Sequence, residues 1–255
     1  MKIKKITALL LSALILILLA SCNKDESAAI PEITDTVFSH EYTNADSAVS
    51  ATLNSTLPTV DTTVFPQLEG FNTFCGEFKL TTESNVSTML INDLCGPENL
   101  LSTEITYTAT YLSAEYISVK LQSKMVWSAE PDDEVFDVKC CVFNVKTGEQ
   151  LSLSDFSYNR NDYVVPRCAE HLIKIIHANR NADISSGHLM PDVDQRKIES
   201  LIDTETGYYL TDNGIGFIFR QGYIALDFAG VRSFELPYDE ISYLLNHLPE
   251  PISEE

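Results

Sequence analysis

Three neighbouring segments between residues 103 and 153 alternate apolar and polar side chains at every second position. In "TEITYTATYLS" the apolar set is Ile105, Tyr107, Ala109 and Tyr111. In "YISVKLQSKMVW" it is Ile117, Val119 and Leu121, and in "EVFDVKCCVFNVKTGEQLSL" it is Phe136, Val138 and Cys140. Successive side chains of a strand point to opposite faces, so a period of two predicts antiparallel strands with one wet face. Gly148 in "KTGEQ" marks a turn at the end of the run. Residues 103 to 153 therefore predict a meander of long strands.

Other segments change period. In "DYVVPRCAEHLIKIIHANR" Val164, Val165, Cys168, Leu172, Ile175 and Ile176 mark one helical face, with Pro166 near the first turn. "PDVDQRKIESLI" from Pro191 predicts a second, short helix with Asp192 and Asp194 in its first turn. "DTVFSHEYT" from Asp35 predicts an opening strand. "ADSAVSATLNSTL" (45–57) has Val49, Leu53 and Leu57 at helical spacing, and "NVSTMLINDL" predicts a short helix. The stretch from 58 to 102 carries the weakest pattern.

The glycine-rich run "LTDNGIGFIFRQGYIALDFAG" (210–230) raises the question of a phosphate loop. Such a loop places its glycines between a strand and a helix N-terminus, followed by Lys or Ser/Thr. Here Gly214-Ile215-Gly216 leads into Phe217-Ile218-Phe219, a strand pattern without a lysine. The run reads as strands "YYLT", "GIGFIFR" and "YIALDF" joined by turns at Asn213-Gly214 and Gln221-Gly222. "FELPYDEISYLLNHL" then predicts a strand running into a helix opened by Pro237. The fold class is α+β, an antiparallel sheet of meander and C-terminal hairpins with packed helices.

Leu210-Thr211-Asp212-Asn213-Gly214, Ile224-Ala225 through Gly230, and Phe234-Glu235-Leu236-Pro237-Tyr238 occur in the order of a known pattern. On these residues the stretch from about 100 to 246 resembles the RsiV-like family of extracytoplasmic domains. That family includes the ectodomain of a lysozyme-sensing anti-sigma factor and accessory domains of peptidoglycan deacetylases. The resemblance implies an α+β binding domain at the cell envelope. Where relatives carry a small-residue and histidine motif, this chain has Trp127 to Glu134. Where they carry a proline and a tyrosine, it has Leu226 and Asp227. Anti-sigma signalling is not expected to transfer, because the chain opens on a different kind of segment.

That segment has Lys2, Lys4 and Lys5 before an apolar run from 6 to 20, the length of a signal-peptide core. It ends on Leu19-Ala20-Ser21-Cys22, which has the form of a lipobox: small residues for the peptidase, then a thiol for the lipid. The expectation is a signal peptide (1–21), a lipidated Cys22 with a polar tether (22–34), an N-terminal mixed portion (35–102) and the RsiV-like domain (103–248), the last two as one globular unit. Several acyl chains anchor stably where one is marginal. Asn23 after the cysteine favours the outer membrane of a diderm bacterium.

All 37 acidic residues lie beyond Cys22 and three of the 17 basic residues lie before it, leaving 14 basic residues and a formal charge of −23. Nucleic acid is a poor partner for such a chain, and a cationic protein is steered toward it. Five cysteines follow Cys22. The exported compartment permits disulfides, and Cys75 with Cys95, each beside a glycine, is the expected pair. Cys140 and Cys141 are adjacent, so a strand turns one inward and leaves the other exposed. Cys168 shares the apolar face of its helix and is expected to be buried.

No catalytic or metal set stands out. None of His40, His171, His177, His188 and His247 lies in a GxSxG or HExxH context. There is no zinc spacing and no cofactor motif. "WSAEPDDEV" places Glu130, Asp132, Asp133 and Glu134 beside Trp127, the single tryptophan. Read as a loop joining two long strands, these residues form the candidate binding region for a cationic, lysozyme-like protein or a cell-wall glycan. Trp127 serves either as an exposed anchor or as a core residue at a strand end. The alternatives to a non-catalytic envelope lipoprotein are a glycan hydrolase using the 130–134 carboxylates and a structural envelope protein.

Overall fold

A computed structural model describes residues 29–43, 49–91, 100–128, 130–157, 163–185, 189–190, 192–204 and 207–245. Five long strands come first in the architecture. They are β1 (Ile33–Thr43), β2 (Val49–Val60), β3 (Leu101–Leu112), β4 (Tyr116–Trp127) and β5 (Glu130–Asn144), in the spatial order β1-β2-β3-β4-β5. The expected meander is β3, β4 and β5. Every pairing is antiparallel except β2 with β3, which is parallel because the helix α1 (Glu69–Ile91) carries the chain between them. Parallel neighbours require such a crossover.

Residues 45–57 were expected to be helical, and the structure places β2 there instead. Val49, Leu53 and Leu57 are four apart, a spacing that suits a helix and equally suits every second pair of strand positions. Ala51, Leu53, Ser55 and Leu57 are all buried, a period of two. Val49, Thr52, Thr56, Thr59 and Val60 add β-branched bulk, which prefers the pleated surface. The short helix expected at "NVSTMLINDL" is the tail of α1, whose 23 residues begin well upstream.

α1 closes one face of the sheet. Phe71, Phe74, Phe78 and Val86 pack with Leu53, Leu101, Ile105, Leu121 and Phe143 in one continuous core. Phe143 meets Phe71 edge-on at 5.7 Å and Phe74 at 6.2 Å. Truncating one such buried ring costs about 3–5 kcal/mol. Cys75 is a buried free thiol on this helix, and Cys95 lies outside the described residues.

The other face is covered by a second core. It is built from α2 (Val164–Ser185), α3 (Gln195–Thr204) and the sheet β6 (Tyr208–Leu210), β7 (Gly214–Phe219) and β8 (Arg232–Pro237), followed by the single turn α4 (Tyr238–Ile241). Cys168 is fully buried in it. The Leu210 N–H donates to the buried Ser118 hydroxyl at 3.0 Å and joins the two sheets. From Pro31 the chain forms one compact unit.

Four local expectations change. Cys140 and Cys141 do take opposite faces of β5, yet both are buried, because Tyr209, Ile218 and Val231 cover Cys140. α3 begins at Gln195 rather than Pro191, and the Asp194 carboxylate accepts the Lys197 N–H at 2.8 Å as its cap. Gly214 needs no positive φ: it starts β7, and a Cβ there would lie 2.2 Å from the Leu236 carbonyl oxygen. The segment 223–228 is not a strand. It makes one bridge, Ala225 to Leu189, and then a 3-10 turn over Asp227–Ala229.

Candidate functional site

The acidic residues expected in a loop belong to β5 itself. β4 hands over to β5 with Trp127 paired to Glu130, and Ser128 turns the chain after β4. The turn is tied to the start of β3: Ser128 N–H donates to the Leu100 carbonyl at 2.8 Å, and Leu100 N–H donates to the Ser128 hydroxyl at 2.8 Å. Trp127 is half-buried and packs on the α1-side core. The side chains of Glu130, Asp132 and Asp133 lie outside the described residues. Glu134 forms an ion pair with Lys124, whose ammonium stands 5.9 Å from the Phe136 ring centroid.

A second segment joins this strand that the sequence pattern did not single out. The Gln221 amide grips β5 as a strand would, accepting the Phe136 N–H at 2.8 Å and donating to the Glu134 carbonyl at 2.8 Å. Its Nε2 also donates to the Asp227 carbonyl at 2.8 Å. Arg220 Nε lies 3.3 Å from the Asp137 carboxylate. Gly222 (φ 80°) and Gly230 (φ 66°) turn the chain at the two ends of the segment. The result is an apolar turn held beside the acidic strand, with Leu226 42% and Phe228 70% exposed and Val135 37% exposed on β5. The bracketing glycines were the available signal. Gly222 was expected to lead into a strand because Tyr223, Ile224 and Phe228 suit one.

A separate cleft of about 370 Å³ lies between β5, the segment 150–154, α2, α3 and the start of β6. Cys140, Cys141, Ser152, Ser154, Ile202 and Tyr208 are among its lining residues. The Tyr208 hydroxyl donates to the Leu151 carbonyl at 2.6 Å, and the Asp155 carboxylate accepts both the Ser152 N–H and hydroxyl at 2.7 Å. Burial pushes the Cys140 thiol up to about 12 and the Cys141 thiol well above its ordinary range. Burial favours the neutral form of both, and buried thiols of this kind are poor nucleophiles.

The described histidines are His40, His171 and His177. His40 packs on β1 between Phe38 and Tyr42. On α2, His171 Nε2 lies 3.1 Å from the Tyr243 hydroxyl, and His177 is exposed. His188 and His247 lie outside the described residues. Among the described residues no three His, Cys, Asp or Glu side chains group as metal ligands.

No protein-family model matches the chain, and no curated protein matches it. Solved structures do. A DUF3298 family protein from Pseudomonas aeruginosa PAO1 superposes with a TM-score of 0.58 at 12% identity, over 86% of this chain and 96% of that one. A member of the same family from Bacteroides fragilis NCTC 9343 gives a TM-score of 0.49 at 14% identity, over 85% and 94%. The superposition thus spans nearly the whole Pseudomonas protein, and the chain has the fold of that DUF3298 family structure.

Proposed function

We propose that the chain is an envelope lipoprotein, anchored through Cys22, whose domain binds a cationic protein without catalysis. The observation that carries this reading is the Gln221 clamp, which fixes the exposed Leu226 and Phe228 beside the acidic start of β5. An apolar centre with a charged rim is the anatomy of a protein-recognition surface. The rim charges set the association rate, and the apolar anchor sets the lifetime. A hydrolase needs two carboxylates facing each other across a substrate. Residues 130–134 share one strand, and Glu134 is neutralised by Lys124. These facts support binding over hydrolysis.

The test uses the full chain in detergent with a lysozyme as cationic probe, measured by surface plasmon resonance at low and high salt. Reversing Asp132, Asp133 and Glu134 to lysine should slow association about tenfold or more at low salt, and less at high salt. Phe228→Ala should speed dissociation about tenfold. Unchanged kinetics in both variants would remove this surface as the site. Separately, Cys22→Ala should lose incorporation of a labelled fatty acid, and label retained by that variant would sink the anchor.

A further inference from the structure

The large sheet has two edges, and only one is closed. On β5 the Gln221 amide takes the place of a neighbour at residues 134 and 136. Leu151 N–H donates to the Val142 carbonyl, and Asn144 N–H donates to the Glu149 carbonyl. On β1 every residue from Thr34 to Glu41 is exposed, and Val37 is 74% exposed. Natural edge strands are blunted by proline, lysine, bulges or shortness. β1 is 11 residues long and holds no proline, lysine or arginine, and its one irregularity is at Tyr42/Thr43.

The hydrogen-bond ladder shows which backbone groups are on offer. Val60 N–H donates to the Asn72 amide oxygen at 2.9 Å, and the Asn72 amide donates to the Val60 carbonyl at 2.9 Å. Val60 therefore turns its backbone groups away from β1, and the Ile33–Val60 pair is a non-bonded one. The β1–β2 register is unbroken from there to Tyr42. Alternation along an antiparallel pair then gives the even residues of β1 to β2. The N–H and C=O groups of Asp35, Val37, Ser39 and Glu41 point outward.

We propose that this edge receives an added strand, and that the occupant is an extended basic segment of another protein. The surface is distinct from the one proposed above. Charge selects the partner. The outward set carries Asp35 and Glu41 and no cation, on a chain of formal charge −20. A second copy fits poorly: pairing β1 with itself over its full length sets Asp35 opposite Glu41 twice. Like charges directly opposite are unfavourable, and a lysine opposite each acid is favourable. The two acids are six residues apart, so the added strand needs two basic residues at that spacing, with β-branched residues between them opposite Val37 and Ser39. Backbone bonds supply affinity in such strand addition, and alternate side chains supply specificity.

The test uses the full chain in detergent and a fluorescent peptide, Thr-Lys-Thr-Val-Thr-Val-Thr-Lys-Thr. Its binding should raise anisotropy and slow amide exchange at Val37 and Ser39. The same peptide with glutamate in place of lysine should bind about tenfold more weakly. Val37→Pro with Ser39→Pro removes two outward N–H groups and the exposed Ser39 hydroxyl bond to the Asn54 side chain, and should abolish binding with only a small loss of melting temperature. Glu41→Lys, which leaves the backbone untouched, should narrow or invert the preference between the two peptides. Equal binding of both peptides, or binding without slowed exchange at these amides, would overturn the proposal. Self-association of the chain that the double proline variant abolishes would give the edge to a second copy and overturn it equally.

Discussion

β5 and β1 end the same sheet, and the chain treats them in opposite ways. β5 is sealed by a glutamine side chain at one end, by the return of residues 149–151 at the other, and by the close crossing of Gly207 between them. β1 has exposed residues along its length and directly follows the polar segment 23–32. Strand edges are closed where the fold has chain to spare nearby. Residues 149–151, Gly207 and Gln221 fold back onto β5, whereas the side chains that reach β1, Lys79 over the Phe38 ring and the Tyr107 hydroxyl on the Asp35 carboxylate, leave its outer backbone edge open.

Substitutions at the sealed edge should therefore be costly, and equivalent ones at the open edge should not. The largest effect is expected at Gly207. A Cβ there would lie 2.8 Å from the Cys140 backbone nitrogen and 2.7 Å from its Cβ. Gly207→Ala forces the two backbones apart and should lower stability by about 3 kcal/mol in urea unfolding. A change under about 1 kcal/mol would show that the crossing is loose. Next comes Gln221→Ala, which removes three hydrogen bonds from a partly buried clamp. It should cost about 2 kcal/mol, and amide exchange at Phe136 should speed up. If exchange at Phe136 does not change, the edge is closed by something other than this side chain. On β1, Val37→Pro should change stability by less than about 0.5 kcal/mol, and a large loss would contradict the outward assignment of its N–H.

The smallest effect provides a baseline away from both edges. The Glu170 carboxylate accepts from Lys174 at 2.9 Å and from Arg167 at 2.6 Å, which holds its pKa below the usual range. A lowered folded pKa stabilises fully above the unfolded carboxylate pKa. The contribution fades as pH falls through the folded value. The group is only partly buried and solvent screens it, so Glu170→Gln should only slightly flatten the loss of melting temperature on acidification. A steep change would place this helix surface among the determinants of acid stability.

Much of the sheet could be read locally. β3, β4 and β5 follow from alternation alone, because a half-buried strand repeats its environment every two residues. The buried face of α2, including Cys168, follows from the 3.6-residue period in the same way. The reading of β2 differs because Val49, Leu53 and Leu57 satisfy both periods, and only the long helix packed on Leu53 and Leu57 selects the strand. The acids from Glu130 to Glu134 looked like a loop because their propensity for strand is poor. Glu130 pairs with Trp127, the register slips before Val135, and the Gln221 amide holds the strand at Glu134. One of Cys140 and Cys141 was expected to be exposed, and both are buried, because alternation says which face a residue takes and not what later covers that face.

The sequence by itself determined the elements whose burial repeats with a local period and the acid balance. These depend only on neighbours along the chain. Tertiary structure alone decided the parallel seat of β3 beside β2, the burial of both adjacent thiols, the joining of Gln221 to β5 across 85 positions to Phe136, and which sheet edge stays open. Each of those depends on residues far apart in sequence meeting in space, and no periodicity within a segment encodes where its distant partner will lie.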